Sequence, residues 1–180
     1  MSWNTTPTST PKVCASVVEF RPVARSPLDR LFDGWADLSL SPKWWTFVDP
    51  SPECPVGRAV RQSDQLVWSV SLGEWTVLGP RPDAMEVVDL THARAAVRIT
   101  SGLLPEALSL VCALDFDDRV FPQGAAARTD VAGVATEIVR DDVGGERSYL
   151  VVVSRSFGQY LHGALADSAR QVAAERAANA

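Results

Sequence analysis

Hydrophobic and polar positions alternate with period two over much of the middle of this chain. Leu66, Trp68, Val70 and Leu72 alternate with Val67, Ser69 and Ser71, the pattern of a half-buried strand. Gly73-Glu74 follows as a two-residue turn with Gly first, suited to a type II′ hairpin, and Trp75 to Leu78 is the return strand. Gly79-Pro80-Arg81-Pro82 breaks the pattern. Met85 to Leu90 and Arg94 to Thr100 read as two further strands. In the second, Ala95, Val97 and Ile99 share one face while Arg94 and Arg98 share the other.

The period then changes. Leu104, Ala107, Leu108, Val111 and Cys112 recur at helical spacing, with Pro105 tolerable in the first turn. Ala125 to Val131 and Val134 to Arg140 form a hairpin over Ala132-Gly133. Asp141 to Arg147 is a turn around Gly144-Gly145, and the continuously apolar Tyr149 to Val153 is a candidate central strand. Phe157, Tyr160, Leu161, Ala164, Leu165, Ala169 and Val172 lie on one helical stripe. Ser156 and Gln159 have the spacing of a capping box at its start. The order ββαβββα predicts an α+β fold with a mainly antiparallel sheet and packed helices.

Upstream, the pattern is weaker. Residues 1–12 form a polar, Thr/Ser/Pro-containing arm with nothing to bury. Val13 to Phe20 is β-prone. The segment 21–64 holds six prolines together with Trp35, Trp44 and Trp45, and predicts irregular structure with one short helix near 28–38. Those three tryptophans must pack back onto the domain or face a partner, so they are the candidate interface residues. A single domain over 13–175 is expected, with a frayed, alanine-rich tail at 176–180.

Composition narrows the function classes. The 180 residues are 46% hydrophobic and 22% charged, enough to bury a core without staples. The net charge of −5 argues against a nucleic-acid partner, whose phosphates call for a basic face. No apolar run approaches the roughly 20 residues that span a bilayer, and Met1 to Pro11 has no signal-peptide character. Cys14, Cys54 and Cys112 are sparse and odd in number, which reads as reduced thiols in a cytoplasmic chain.

Chemistry is scarce. There is no dinucleotide or phosphate-loop glycine pattern, no H-E-x-x-H, no paired C-x-x-C and no G-x-S-x-G, so no catalytic, cofactor-binding or metal residue is assigned. Asp115, Asp117 and Asp118 could form a carboxylate site, but a solvated turn with Arg119 as counter-charge is the simpler reading. His92 could act as a base oriented by Asp89, though a turn role is commoner, and His162 flanks the apolar stripe of the last helix. Arg155, between Ser154 and Ser156, could hold an anion at a helix start; capping plus a surface ion pair is the default.

The order of segments carries a resemblance. Ser71-Leu72-Gly73-Glu74-Trp75-Thr76-Val77-Leu78-Gly79-Pro80 resembles the "LGPDEWL" region of the gamma subunit of heterotetrameric sarcosine oxidase. Val88 to Ile99 with the following Ser101-Gly102, Ala107 to Phe116, Phe121-Pro122-Gln123-Gly124 to Thr129, and Val151 to Leu161 with its "RSFAxYL"-like Arg155-Ser156-Phe157-Gly158-Gln159-Tyr160-Leu161 are similar to that family's next four blocks, in order over 66–172. The resemblance implies a fold related to the folate-binding domain of the glycine-cleavage T-protein, an aminomethyltransferase. It also implies an accessory, non-catalytic subunit in a complex that oxidatively demethylates sarcosine to glycine, with hydrogen peroxide and 5,10-methylenetetrahydrofolate as products. FAD, FMN, NAD, zinc and tetrahydrofolate would then belong to the alpha, beta and delta partner subunits. The alternatives are a stand-alone folate-binding or aminomethyltransferase-like domain, with Asp89 or Asp115 as the pterin carboxylate, and a subunit of a related N-methyl amino-acid dehydrogenase.

Overall fold

The computed structural model describes residues 54–62, 64–82 and 87–179 in full, and 18–20, 34–37 and 44–47 as strands. The expected arm at 1–12, residues 13–17 of the first expected strand and Cys14 lie outside the described residues. The strands are β1 (Val18–Phe20), β2 (Gly34–Asp37), β3 (Trp44–Phe47), β4 (Arg58–Gln62), β5 (Gln65–Ser71), β6 (Glu74–Leu78), β7 (Val87–Asp89), β8 (Arg94–Thr100), β9 (Ala126–Val131), β10 (Val134–Arg140) and β11 (Ser148–Ser154). Among the described residues two α-helices accompany them, α1 (Leu104–Ser109) between β8 and β9 and α2 (Gly158–Ala178) after β11.

The described strands form two antiparallel sheets. The larger has the order β1-β2-β8-β11-β10-β9, the smaller β4-β5-β6-β3-β7. The α+β class and the antiparallel pairing expected from the pattern are both present. β11 lies in the middle of the larger sheet, between β8 and β10. Six of its seven residues are buried, which is why its sequence is apolar without alternation.

The alternation of β8 sorts two cores. Ala95, Val97 and Ile99 face the helices and join Leu104, Leu108, Ile138, Tyr149, Leu161 and Leu165. Ala96, on the opposite face, joins Leu66, Trp68, Val139, Leu150 and Val152 between the two sheets. Backbone bonds from Ala126 N–H to the Gly57 carbonyl (2.9 Å) and from Ala59 N–H to the Gly124 carbonyl (2.7 Å) help hold the sheets together.

Several expectations are corrected. Residues 34–37 form β2 rather than part of a helix over 28–38, because Trp35 sits in register with Ile99 on β8 and that pairing outweighs local helical spacing. Trp44 to Phe47 lies in the segment expected to be irregular. Its Trp-Trp-Thr-Phe run is β-prone, Pro42 and Pro50 fall outside it, and it pairs with both β6 and β7. The β5–β6 turn uses Leu72-Gly73, since Ser71 pairs with Glu74. Gly73 has φ +75° there, placing glycine second, as a type II turn requires.

At the last helix, a 3-10 turn over Arg155–Phe157 precedes α2, and no side chain caps either start, so the Ser156–Gln159 box does not form. Leu161, Leu165, Ala169 and Val172 are buried, whereas Phe157 is 47% and Tyr160 56% exposed. The buried stripe is thus narrower than the sequence pattern. The helix runs to Ala178, with Arg176 paired to Glu106 of α1.

Candidate functional site

The polar face of β8 does not look into water. Arg94 and Arg98 are four residues apart on one strand, and Glu137 and Asp141 four apart at β10 and just beyond it, all on the side that meets the smaller sheet. The matched spacings build two carboxylate clusters in the joint between the sheets.

In the first, Asp141 is bound from both sheets. Arg61 on β4 donates Nε to Oδ1 (2.8 Å) and Nη2 to Oδ2 (2.5 Å). Arg98 donates Nη2 to Oδ2 (2.6 Å) and Nη1 to the Asp141 carbonyl (2.9 Å) and the Ser148 hydroxyl (3.1 Å). Burial pushes the Arg98 guanidinium down from its ordinary value, while Asp141 opposes that shift.

In the second, Glu137 is buried, with 2% of its side chain exposed. Trp68 Nε1 of the smaller sheet donates to Oε2 (2.9 Å). Arg128 and Arg94 both approach Oε1, at 3.1 and 3.5 Å. Each cluster therefore sets two guanidinium groups against one carboxylate, but the contacts of the second are longer.

The remaining acidic residues serve turns and ion pairs. Asp117 pairs with Arg119 (2.8 Å) and Asp115 accepts from the Asp117 N–H (2.9 Å), the solvated turn expected. Asp118 goes further, binding Arg140 and Arg147. Arg140 also donates to Asp142 and to the Phe121 carbonyl. The bond from Arg140 holds Asp118 below the usual carboxylate range. Asp89 accepts from the Thr91 N–H (2.8 Å) and is lowered first by its bonds to Thr91 and also by the nearby His92, which is exposed. His162 is exposed on α2, and Arg155 is exposed with its N–H bonded to the Ala93 carbonyl (2.9 Å), one residue from Arg94.

Cys54 and Cys112 are buried free thiols, and burial pushes Cys54 up. Tyr149 packs among Phe116 and Phe121 with ring centroids 5.4 and 6.2 Å away. Its hydroxyl is buried without a hydrogen-bond partner among the described residues. Of the tryptophans singled out, Trp35 is on β2, and Trp44 and Trp45 are on β3 between β6 and β7. The charged joint was missed at the sequence level. Its signal was the shared i, i+4 spacing of Arg94/Arg98 and Glu137/Asp141 on strands, which reads equally well as a solvated face.

The fold has a counterpart. Heterotetrameric sarcosine oxidase from Corynebacterium sp. U-96, solved in complex with pyrrole 2-carboxylate, contains a chain of similar fold. The TM-score is 0.63 with 16% sequence identity, and the match covers 83% of this chain and 96% of that one. At such identity the likeness is one of fold. No protein-family model matches the sequence, and no curated protein matches it. Among the described residues, no helix is long and apolar enough to cross a membrane.

Proposed function

We propose that this chain is an accessory subunit, of the gamma type, in a sarcosine oxidase-like complex. The observation that carries the reading is the fold likeness to a chain of a heterotetrameric sarcosine oxidase over 83% of this chain and 96% of that one. The five sequence blocks in order over 66–172 support the gamma assignment. In this reading the chain performs no chemistry itself. Oxidative demethylation of sarcosine, and the flavin, nicotinamide, zinc and folate that serve it, belong to alpha, beta and delta partners. The stand-alone folate-binding alternative is weakened by its own candidates, because Asp89 and Asp115 both direct their carboxylates to neighbouring backbone N–H groups.

The test is co-expression with candidate flavoprotein and small subunits from the same operon. The chain should co-purify in fixed proportion, and sarcosine-dependent peroxide formation should track its presence. Purified alone, it should be colourless. Stoichiometric flavin in the isolated chain, or a full oxidase that assembles without it, would overturn the assignment. Trp44→Ala with Trp45→Ala should weaken co-purification if the segment meets a partner, and undiminished assembly would refute that interface.

A further inference from the structure

Each cluster sets two arginines against one carboxylate, but the two differ in closure. At Asp141 both oxygens are taken by short bonds of 2.5 to 2.8 Å from Arg61 and Arg98. At Glu137 one oxygen is taken by Trp68, and the other is shared by Arg128 at 3.1 Å and Arg94 at 3.5 Å. Arg94 has only 23% of its side chain exposed, yet among the described residues this long contact is its one side-chain bond. A guanidinium carries five N–H donors, and taking it out of water without partners is costly. The cluster also carries one positive charge more than its single carboxylate neutralises.

The surroundings are open on one side. Ser154, the register partner of Arg94 on β11, is exposed, as are Ala135 and its register partner Asp130 at the end of the β9–β10 hairpin. Small side chains thus lie at the sheet end between Arg94 and the half-exposed Arg128. Asp130 shares the strand face of Arg128 and forms no ion pair with either arginine within 4 Å.

We propose that Arg94 and Arg128 form a binding site for an oxyanion, carboxylate or phosphate, at this end of the sheet joint, with Glu137 and Trp68 as its back wall. Glu137 holds the two guanidinium groups in place, and their free N–H donors present the planar fork that suits bidentate oxyanion recognition. Asp130 opposes the bound charge and limits affinity. The site is independent of the subunit assignment above.

The experiment titrates the full chain with inorganic phosphate, and separately with succinate, against chloride at matched ionic strength, following arginine Nε–Hε resonances by NMR. Saturable shifts should appear at Arg94 and Arg128 while Arg61 and Arg98 stay still. Arg94→Gln should weaken binding about tenfold or more, and Asp130→Asn should tighten it. Arg128→Gln, at an exposed position, is the second variant should Arg94→Gln fail to fold, and should weaken binding similarly. A response to only one of the two probes assigns the oxyanion class. No saturable shift with either, equal shifts at Arg61 and Arg98, or unchanged affinity in Arg128→Gln would overturn the proposal.

Discussion

Single residues in this protein hold conformations and charges that the neighbouring structure demands. Ala132 has φ +51° beside Gly133 at +76°, the two left-handed residues of a type I′ hairpin turn. An alanine there costs roughly 1 kcal/mol of strain, and asparagine tolerates the conformation better. Ala132→Asn should therefore raise stability by about 0.5–1 kcal/mol in denaturant titration, while the Ala132 carbonyl keeps its bond from Tyr160. Asp118 is held low by Arg140 and Arg147. Its contribution is fully present above the ordinary aspartate value, about 3.9, and is lost as pH falls through the depressed native value. Asp118→Asn should abolish that part of the acid transition. An unchanged acid midpoint would show that the Arg140 pair does not matter to stability.

Elements meet where small residues let them. α2 crosses the sheet with Gly158 so close to β8 that an added Cβ would stand 2.8 Å from the Ala95 Cβ. Alanine ordinarily favours a helix over glycine by up to about 1 kcal/mol. Here the clash outweighs that gain, because neither Cβ can rotate away and overpacking costs about 1–3 kcal/mol. Gly158→Ala should destabilise. Paired with Ala95→Gly, it should cost less than the two single changes summed, a coupling read from a double-mutant cycle. Strict additivity would mean that the helix simply shifts outward. The buried Ser168 hydroxyl, bonded to the Ala107 carbonyl, ties α2 to α1 in the same layer.

For the molecule as a whole, the joint between the sheets is the feature on which its integrity depends. Apolar packing around Trp68, Leu150 and Val152 supplies non-directional attraction, and the two carboxylate clusters add register. Asp141 is bonded to an arginine from each sheet, so removing its side chain leaves Arg98 buried without a counter-charge, held only by the position 141 carbonyl and Ser148. Asp141→Ala should cost about 3–5 kcal/mol, the range for breaking a buried pair from one side. Hydrogen exchange should then rise first in β4 and β5. A loss confined to a few tenths of a kcal/mol would show that apolar packing alone sets the sheet geometry.

The sequence by itself determined the elements whose residues repeat with an unambiguous period. β8, the β9–β10 hairpin, the continuously apolar β11 and the long α2 are each legible because one face, or both, must be removed from water. Tertiary structure decided what lies opposite those faces. Trp35 and Trp44 to Phe47 became strands because β8, β6 and β7 offered backbone partners that no local pattern reveals. Phe157 and Tyr160 fell outside the buried stripe because the crossing of α2 over the sheet selects which part of an apolar arc is covered. Arg94 and Arg98 were legible as a polar face but not as a buried one. A polar strand face meets water or a second sheet with equal local sense, and only the stacking of the smaller sheet, with Glu137 and Asp141 brought beneath it, turned that face into a charged joint.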